Sequence, residues 1–243
     1  PHHPSSAASD VYKRQDFLNL IYPLQCAGCS SPLVQSEKAI CSGCWMELKN
    51  FDLHDQSKFL YHSSIQYHYF SYRFIKNSVI QQILHQIKYN GNKTAAFVLG
   101  VELGNLIKKK HKADEDCILV PVPASIKKRR KRGYNQTEII AEGISSVTNY
   151  NINNQLLKRK NSSKTQTMST VFERWQNIEN EYQLNSRLSQ KSNIIIVDDV
   201  VTTGSTLYHC IQSLEGQYGN LYVAAVAAVS VSYTHLRAHE TQY

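Results

Sequence analysis

The sequence predicts an α/β fold, a mainly parallel sheet flanked by helices, with a small metal-bound module on its amino-terminal side. Three observations predict it. Short β-branched apolar runs alternate with helix-like stretches through the second half of the chain, a hydroxyl-rich loop follows the most apolar of these runs, and four of the 6 cysteines fall into two C-x-x-C pairs. Apolar runs without alternation mark strands buried on both faces, and the helices between them are the crossovers that parallel strands require.

Each element follows from its own residues. The stretch from residue 17 to about 50 holds the cysteine pairs and is too short to bury a core alone, so a metal is expected to complete it. Aromatic residues alternate loosely between Tyr67 and Tyr72, as in a strand, and Ile75, Val79, Ile80, Ile83, Leu84 and Ile87 then recur at helical spacing. Lys88, Tyr89, Asn90, Gly91 and Asn92 break that helix. Thr94 can cap the next one, which runs through Phe97, Val98, Val101, Leu103 and Leu106 to three lysines, Lys108, Lys109 and Lys110. Cys117, Ile118, Leu119 and Val120 read as a buried strand stopped by Pro121 and Pro123, with a helix over 137 to 144 behind it. A weaker strand is expected over 152 to 157 and a helix over 169 to 177. The clearest strand is Ile194, Ile195, Ile196 and Val197; a helix over 206 to 214 and a last buried strand over 221 to 229 complete the pattern.

Domain boundaries are expected at 16–60 for the cysteine module and 61–231 for the sheet domain. The segments 1–15 and 232–243 show no periodicity and resemble translated adaptor sequence, so they are left out of the fold. Frayed natural tails are the alternative reading.

Length and composition narrow the class. A chain of 243 residues holds one domain of ordinary size, about 100 to 150 residues, with an appendage. With 42% hydrophobic and 19% charged residues, it is globular rather than disordered or fibrous. Its longest apolar stretch, 221 to 229, falls short of the roughly 20 residues that span a bilayer, so no transmembrane segment is expected. The absence of an apolar leader and the C-x-x-C usage make a reducing cytoplasm the expected location.

The formal charge of +8 is concentrated in Lys127, Lys128, Arg129, Arg130, Lys131 and Arg132. Six adjacent cations repel one another, so the run is expected to be a mobile exposed loop that closes on an anion, with Arg129, Arg130 and Arg132 offering bidentate phosphate contacts. A solvated charge run and a nucleic-acid patch are the alternatives. Lys88 and Lys164 are further candidate phosphate partners.

The sharpest chemical signal begins where the clearest strand ends. Asp198, Asp199, Val200, Val201, Thr202, Thr203, Gly204, Ser205 and Thr206 lead straight into a helix. Amides at a helix start, four hydroxyls and a glycine that lets the backbone approach suit an anion such as phosphate. The two carboxylates would repel that phosphate, so they are expected to serve another part of the ligand, through its hydroxyls or a bound cation. A sugar phosphate meets both needs. A plain helix cap would use one hydroxyl rather than four. A receiver domain needs more strands after its paired aspartates than the chain supplies, and neither G-x-x-x-x-G-K-[ST] nor G-x-G-x-x-G occurs.

Cys26 with Cys29, an 11-residue spacer, and Cys41 with Cys44 have the knuckle spacing of a four-thiolate structural zinc site. A redox C-x-x-C would be expected singly, on a strand-to-helix turn. Trp45 reads as knuckle packing.

The strand and hydroxyl loop together resemble the fingerprint of type I phosphoribosyltransferases. The order of motifs along the chain resembles the ComF family of competence-associated phosphoribosyltransferase-like proteins. It rests on Pro23, Leu24, Gln25 and the paired cysteines; Lys88, Tyr89 and Gly91; Val120 to Pro123; Arg132, Gly133, Tyr134, Asn135 and Gln136; Lys164, Thr165 and Gln166; Arg174 and Asn177; and the loop ending at Thr206. The resemblance implies a zinc ribbon joined to a type I phosphoribosyltransferase domain that binds phosphoribosyl pyrophosphate or a ribose phosphate with Mg²⁺. In such a protein Asp198 and Asp199 would hold the ribose hydroxyls and residues 200 to 206 the 5-phosphate, while Val122, Pro123, Ala124 and Ser125 would cradle pyrophosphate. DNA uptake in natural competence, with single-stranded DNA or competence-machinery proteins as partners, is the role the resemblance implies. Transfer of phosphoribosyl to an acceptor and a non-catalytic DNA-handling role both remain open.

Overall fold

The computed structural model describes residues 23–51, 64–111, 116–160, 181–188 and 192–229. The expected helix over 169 to 177, the motif residues Lys164, Thr165, Gln166, Arg174 and Asn177, and both tail segments lie outside the described residues.

The strands are β1 (Ile65–Arg73), β2 (Cys117–Pro121), β3 (Asn151–Ile152), β4 (Leu157–Arg159), β5 (Tyr182–Leu184), β6 (Ser192–Val201) and β7 (Tyr218–Ala228). The helices are α1 (Ser42–Glu47), α2 (Val79–Tyr89), α3 (Lys93–Lys110), α4 (Ile126–Arg132), α5 (Gln136–Thr148) and α6 (Ser205–Ser213). Five strands form one sheet in the order β1-β7-β6-β2-β3, and every pairing in it is parallel. β4 and β5 make a separate antiparallel hairpin.

The expected α/β class is what the chain adopts, and side-chain alternation explains both faces. Along β6, Ile195 and Val197 face a core built with α2, α3 and α5, while Ile194 and Ile196 face the core under α6 and the hairpin. β7 repeats the division, Tyr222, Ala224 and Val226 against Leu221, Val223 and Ala225. A strand with both faces covered has no polar side to show, which is why these segments read as unbroken apolar runs.

Several boundaries differ from the expected ones for local reasons. α2 begins at Val79 rather than near Ile75, because Asn77 takes a left-handed φ of 59° that no helix interior accepts. The cap of α3 is Asn92, whose side chain accepts the Ala95 amide at 2.9 Å, and Thr94 lies within the first turn. The weak strand expected over 152 to 157 is two pieces: β3 ends in an Asx turn at Asn153, whose side chain accepts the Gln155 amide at 3.0 Å, and β4 then leaves for the hairpin. β6 extends from Ser192 to Val201 and so carries both aspartates within the strand.

The largest correction concerns the basic run, which is the helix α4 rather than a loop. Ser125 caps it by accepting the Lys128 amide at 3.3 Å, and Gly133, at φ 79°, ends it in the left-handed conformation. Winding spreads the cations around a cylinder instead of leaving them side by side, and all but Arg132 are exposed. That separation is what makes the run compatible with a helix.

α3 and α5 approach so closely that only glycine fits. A Cβ at Gly143 would lie 2.3 Å from the Phe97 carbonyl oxygen, and one at Gly100 would lie 2.3 Å from that of Ile140. This contact sets the start of α5 against the end of β2, where the candidate site opens. Among the described residues no helix is long and apolar enough to cross a membrane.

Candidate functional site

The cleft exists because two neighbouring strands stop at different heights. β6 pairs with β7 as far as Val201 opposite Ala228, but with β2 only as far as Val197 opposite Pro121. Val122 adds one more bond, its amide donating to the Val197 carbonyl at 2.9 Å, and Pro123 then carries the chain away. From Asp198 onward the edge of β6 on the β2 side is open. A cleft of about 190 Å³ fills the gap, at the carboxyl ends of the parallel strands where α/β folds place ligands.

Asp198 and Asp199 both line this cleft and are 8% and 5% exposed. Consecutive strand residues start toward opposite faces, yet both carboxyls reach the one cleft and lie near enough to act on each other. Asp199 turns toward α2 and α5: its Oδ2 lies 2.8 Å from Lys88 Nζ and accepts Gln136 Nε2 at 3.4 Å, and its Oδ1 accepts the Val200 amide at 2.8 Å. Asp198 turns toward the hairpin and α6, and its Oδ1 accepts the Asp199 amide at 2.8 Å. Burial, and after it the charge of Asp199, pushes the Asp198 carboxyl up to about 8. The group is thus held toward its protonated form, which can donate a hydrogen bond.

The hydroxyl loop follows directly. Thr202, Thr203 and Ser205 are exposed, Thr206 is half-buried and lines the cleft, and Gly204 takes φ 75° at the start of α6. The Ser205 amide donates to Thr203 Oγ1 at 3.4 Å. Of the other two residues expected in the phosphate loop, Val200 lines the cleft, whereas Val201 is buried in the core and can offer a ligand its backbone only.

The expected pyrophosphate turn borders the same cleft through Val122, Pro123 and Ala124, while the Ser125 hydroxyl serves as the cap of α4. The Val122 carbonyl accepts Thr137 Oγ1 at 2.7 Å and Asn135 Nδ2 at 3.2 Å, so the residues that open α5 fix the turn. Of the basic residues, Lys128 and Arg132 line the cleft and Arg129 and Arg130 do not. Arg132 donates to Gln136 Oε1 at 2.8 Å and lies 5.4 Å from the Tyr89 ring centroid. Lys88, expected to meet a phosphate, is on Asp199 instead.

Two further lining residues carried no sequence signal. Arg159 and Tyr182 are register partners in the β4–β5 hairpin and roof the cleft; Arg159 pairs with Glu181 and lies 5.5 Å from the Tyr182 ring centroid. Gln136 and Thr137 sit in or beside the quoted Arg132 to Gln136 motif, yet nothing in the sequence said which neighbour each would hold.

The second centre is the cysteine cluster. The Sγ atoms of Cys26, Cys29, Cys41 and Cys44 all lie within 4.8 Å of one another, with Cys29 and Cys41 3.7 Å apart. Zinc–sulfur bonds of about 2.3 Å in a tetrahedron put sulfurs roughly 3.8 Å apart, so the thiols fit that ion. The Gly28 and Cys41 amides donate to Cys26 Sγ at 3.3 and 3.2 Å, and the Cys44 amide donates to Cys41 Sγ at 3.4 Å, bonds that favour thiolates. A Cβ at Gly28 would lie 2.7 Å from Cys44 Sγ, so the first knuckle needs its glycine. Burial, with the neighbouring thiols after it, pushes Cys44 well up from the ordinary thiol range, and a dication at the centre would offset this.

This geometry defines a zinc-ribbon module set on a parallel α/β domain, and residues 17–55 match the double zinc ribbon domain. The chain has homologues named for competence and DNA utilisation. Competence protein F of Haemophilus influenzae is 26% identical over 206 residues, covering 76% of this chain and 88% of that protein. Competence protein ComFC of Bacillus subtilis is 24% identical over 192 residues, covering 78% and 70%. DNA utilization protein YhgH of Escherichia coli is 26% identical over 140 residues, 56% of this chain and 60% of that one. Among solved structures, a hypoxanthine phosphoribosyltransferase from Staphylococcus aureus aligns over 65% of this chain and 77% of its own, at TM-score 0.36 and 13% identity.

Proposed function

We propose that the cleft beyond Pro121 binds a phosphoribosyl ligand, phosphoribosyl pyrophosphate foremost, and that the protein serves DNA uptake as its homologues' names suggest. One observation carries the reading: a carboxyl pair and a solvent-open hydroxyl loop at a helix start share one cleft at the carboxyl end of β6. The ribose hydroxyls meet Asp198 and Asp199, and the 5-phosphate meets the hydroxyls and amides of residues 202 to 206. Pyrophosphate lies along Val122, Pro123 and Ala124, near Lys128 and Arg132. In phosphoribosyl transfer, an acceptor nucleophile attacks ribose C1 as the C1–O bond breaks, and pyrophosphate leaves with the bonding pair. Lys128 and Arg132 stabilise the charge that develops on it.

The Mg²⁺ that the resemblance implies does not fit the aspartate pair. Asp199 already carries an ammonium at 2.8 Å, and burial holds Asp198 toward its neutral form. A Mg²⁺ ion, if the reaction uses one, would enter with the pyrophosphate, whose oxygens suit a hard cation.

The test is titration with phosphoribosyl pyrophosphate, Mg²⁺ supplied, of the wild type and of the Asp198→Asn, Asp199→Asn double variant. The expected result is a loss of about tenfold or more in the variant, the scale of one lost charge-assisted hydrogen bond at Asp199. Equal affinities would end the proposal.

A second reading, DNA contact by the basic helix, is favoured by the exposure of Lys127, Arg129, Arg130 and Lys131 on α4. Single-stranded DNA binding should then fall by roughly 50-fold between about 50 and 200 mM salt if four phosphates are met. A flat salt response, or one unchanged by neutralising these four residues, excludes it.

A further inference from the structure

We propose that Lys88 is the resident counter-cation of the aspartate pair, so that the site takes the ribose 5-phosphate end of its ligand without a divalent ion. The inference rests on the phosphoribosyl reading and adds to it the ionic requirement of the site. Lys88 lies in the last turn of α2, and its side chain is 22% exposed against 6% for that of Asp199. Two anchors fix this end of α2: the Tyr134 hydroxyl donates to the Ile87 carbonyl, and Gly91, at φ 72°, ends the turn that follows. The ammonium is thus delivered by a rigid helix end rather than by a loop.

The bonding around Asp199 fills most of its acceptor sites, of which a carboxylate has about four. Its Oδ1 is taken by the Val200 amide and its Oδ2 by Lys88 and Gln136. A divalent ion on either oxygen would stand within a few ångströms of the ammonium, where like charges repel strongly at low dielectric. Asp198 has one oxygen on the Asp199 amide and is held toward its neutral form by burial and by the charge of Asp199, which weakens it as a metal ligand. The other cleft cations are placed elsewhere: Arg132 on Gln136 and Tyr89, Arg159 on Glu181, and Lys128 on α4.

A reason for this arrangement follows from the ligand's own charge. Asp199 alone would repel a phosphate bound a few ångströms further along the strand, and Lys88 cancels that repulsion before any ligand arrives. Lys88 is therefore a positioning residue, acting through Asp199.

The experiment is calorimetric titration with ribose 5-phosphate, which has no pyrophosphate to carry metal. The full chain is used in buffer freed of divalent ions by a chelating resin, since a soluble chelator would compete at the cysteine centre, and again with millimolar Mg²⁺. Wild type should bind equally in both, within about twofold. Lys88→Gln should bind about tenfold more weakly without Mg²⁺ and recover part of the loss with it, while Lys88→Arg should stay near wild type. Wild-type binding that appears only with Mg²⁺ overturns the inference, and the wild-type arm needs no variant to fold. Lys88→Gln matching wild type in the metal-free buffer overturns it equally. If wild type binds ribose 5-phosphate in neither buffer, the phosphoribosyl reading itself fails, an outcome distinct from the other two.

Discussion

Asp198 and Asp199 are chain neighbours held in opposite electrostatic surroundings. Asp199 has an ammonium and two amide donors; Asp198 has one backbone amide, and burial drives it toward its neutral form. A measurable pH dependence follows. The folded state keeps the Asp198 proton up to about 8, whereas the unfolded chain releases it near the ordinary value of about 3.9. Between those limits the folded state binds more protons, so this group's contribution to stability is full at low pH and falls as pH rises. Asp198→Asn has no such proton. Relative to wild type it should therefore gain stability from pH 5 to pH 8, read as the difference in unfolding midpoint at the two pH values; a constant difference, or one that shrinks, refutes the assignment. Both aspartates were legible as a pair in the sequence, because paired carboxylates before a hydroxyl loop are a chemical signature. Their unequal surroundings were not, since these depend on whether β6 ends before or after them, and that is decided by β7 running alongside to Ala228. Lys88 was legible as a cation but not as a partner of Asp199, because only the packing of α2 brings the two together.

Elements were legible where periodicity alone decides them. The buried stripe of α2 (Ile80, Ile83, Leu84, Ile87) and the apolar runs of β6 and β7 fall where the sequence puts them. The basic helix was missed because charge repulsion was weighed and the caps were not: Ser125 and Gly133 bracket the run at helical positions. Equally hidden was the role of small residues in α3 and α5. Gly100 and Gly104 are one helical turn apart on α3; Gly143 of α5 faces Gly100, and the Ile144 backbone lies against Gly104, so the two backbones approach closely. Gly143→Ala should force the helices apart or strain α5, at a cost of about 1–3 kcal/mol in denaturant unfolding, as other overpacked interfaces show. Gly43→Ala is the internal control: its nearest neighbour is Cys41 Sγ at 4.0 Å, and alanine favours the exposed helix α1. Equal stability of the Gly143→Ala protein and wild type would mean that the close approach is not a constraint.

At the scale of the whole molecule, the cysteine module is built into the sheet rather than appended to it. Cys26, Ala27, Ala39, Ile40, Cys44 and Leu48 belong to the same buried cluster as α2, α3 and one face of β6 and β7. The Trp45 ring lies 6.4 Å from that of Tyr72 on β1. Beyond α1 the chain pairs with β1 in antiparallel fashion, the Phe51 amide donating to the Ser71 carbonyl at 3.0 Å and the Arg73 amide to that of Lys49 at 2.8 Å. These contacts cover the edge of a sheet that would otherwise offer unpaired backbone groups. The cysteine spacing made the module legible; its docking was not, because the aromatic and backbone contacts join segments with no shared pattern. Removal of metal should therefore unfold more than the module. Without a cation, the four thiols crowd within 4.8 Å and the knuckles lose their closure, after which the module's half of the shared core and the cover on β1 are lost with it. Wild type should melt in one calorimetric transition. Cys44→Ser, or exhaustive chelation, should lower that single midpoint by roughly 10 °C, the shift expected for a loss of about 4 kcal/mol in a chain of this size. Two separate transitions, with the larger one unmoved by chelation, would show instead that the sheet stands without its ribbon.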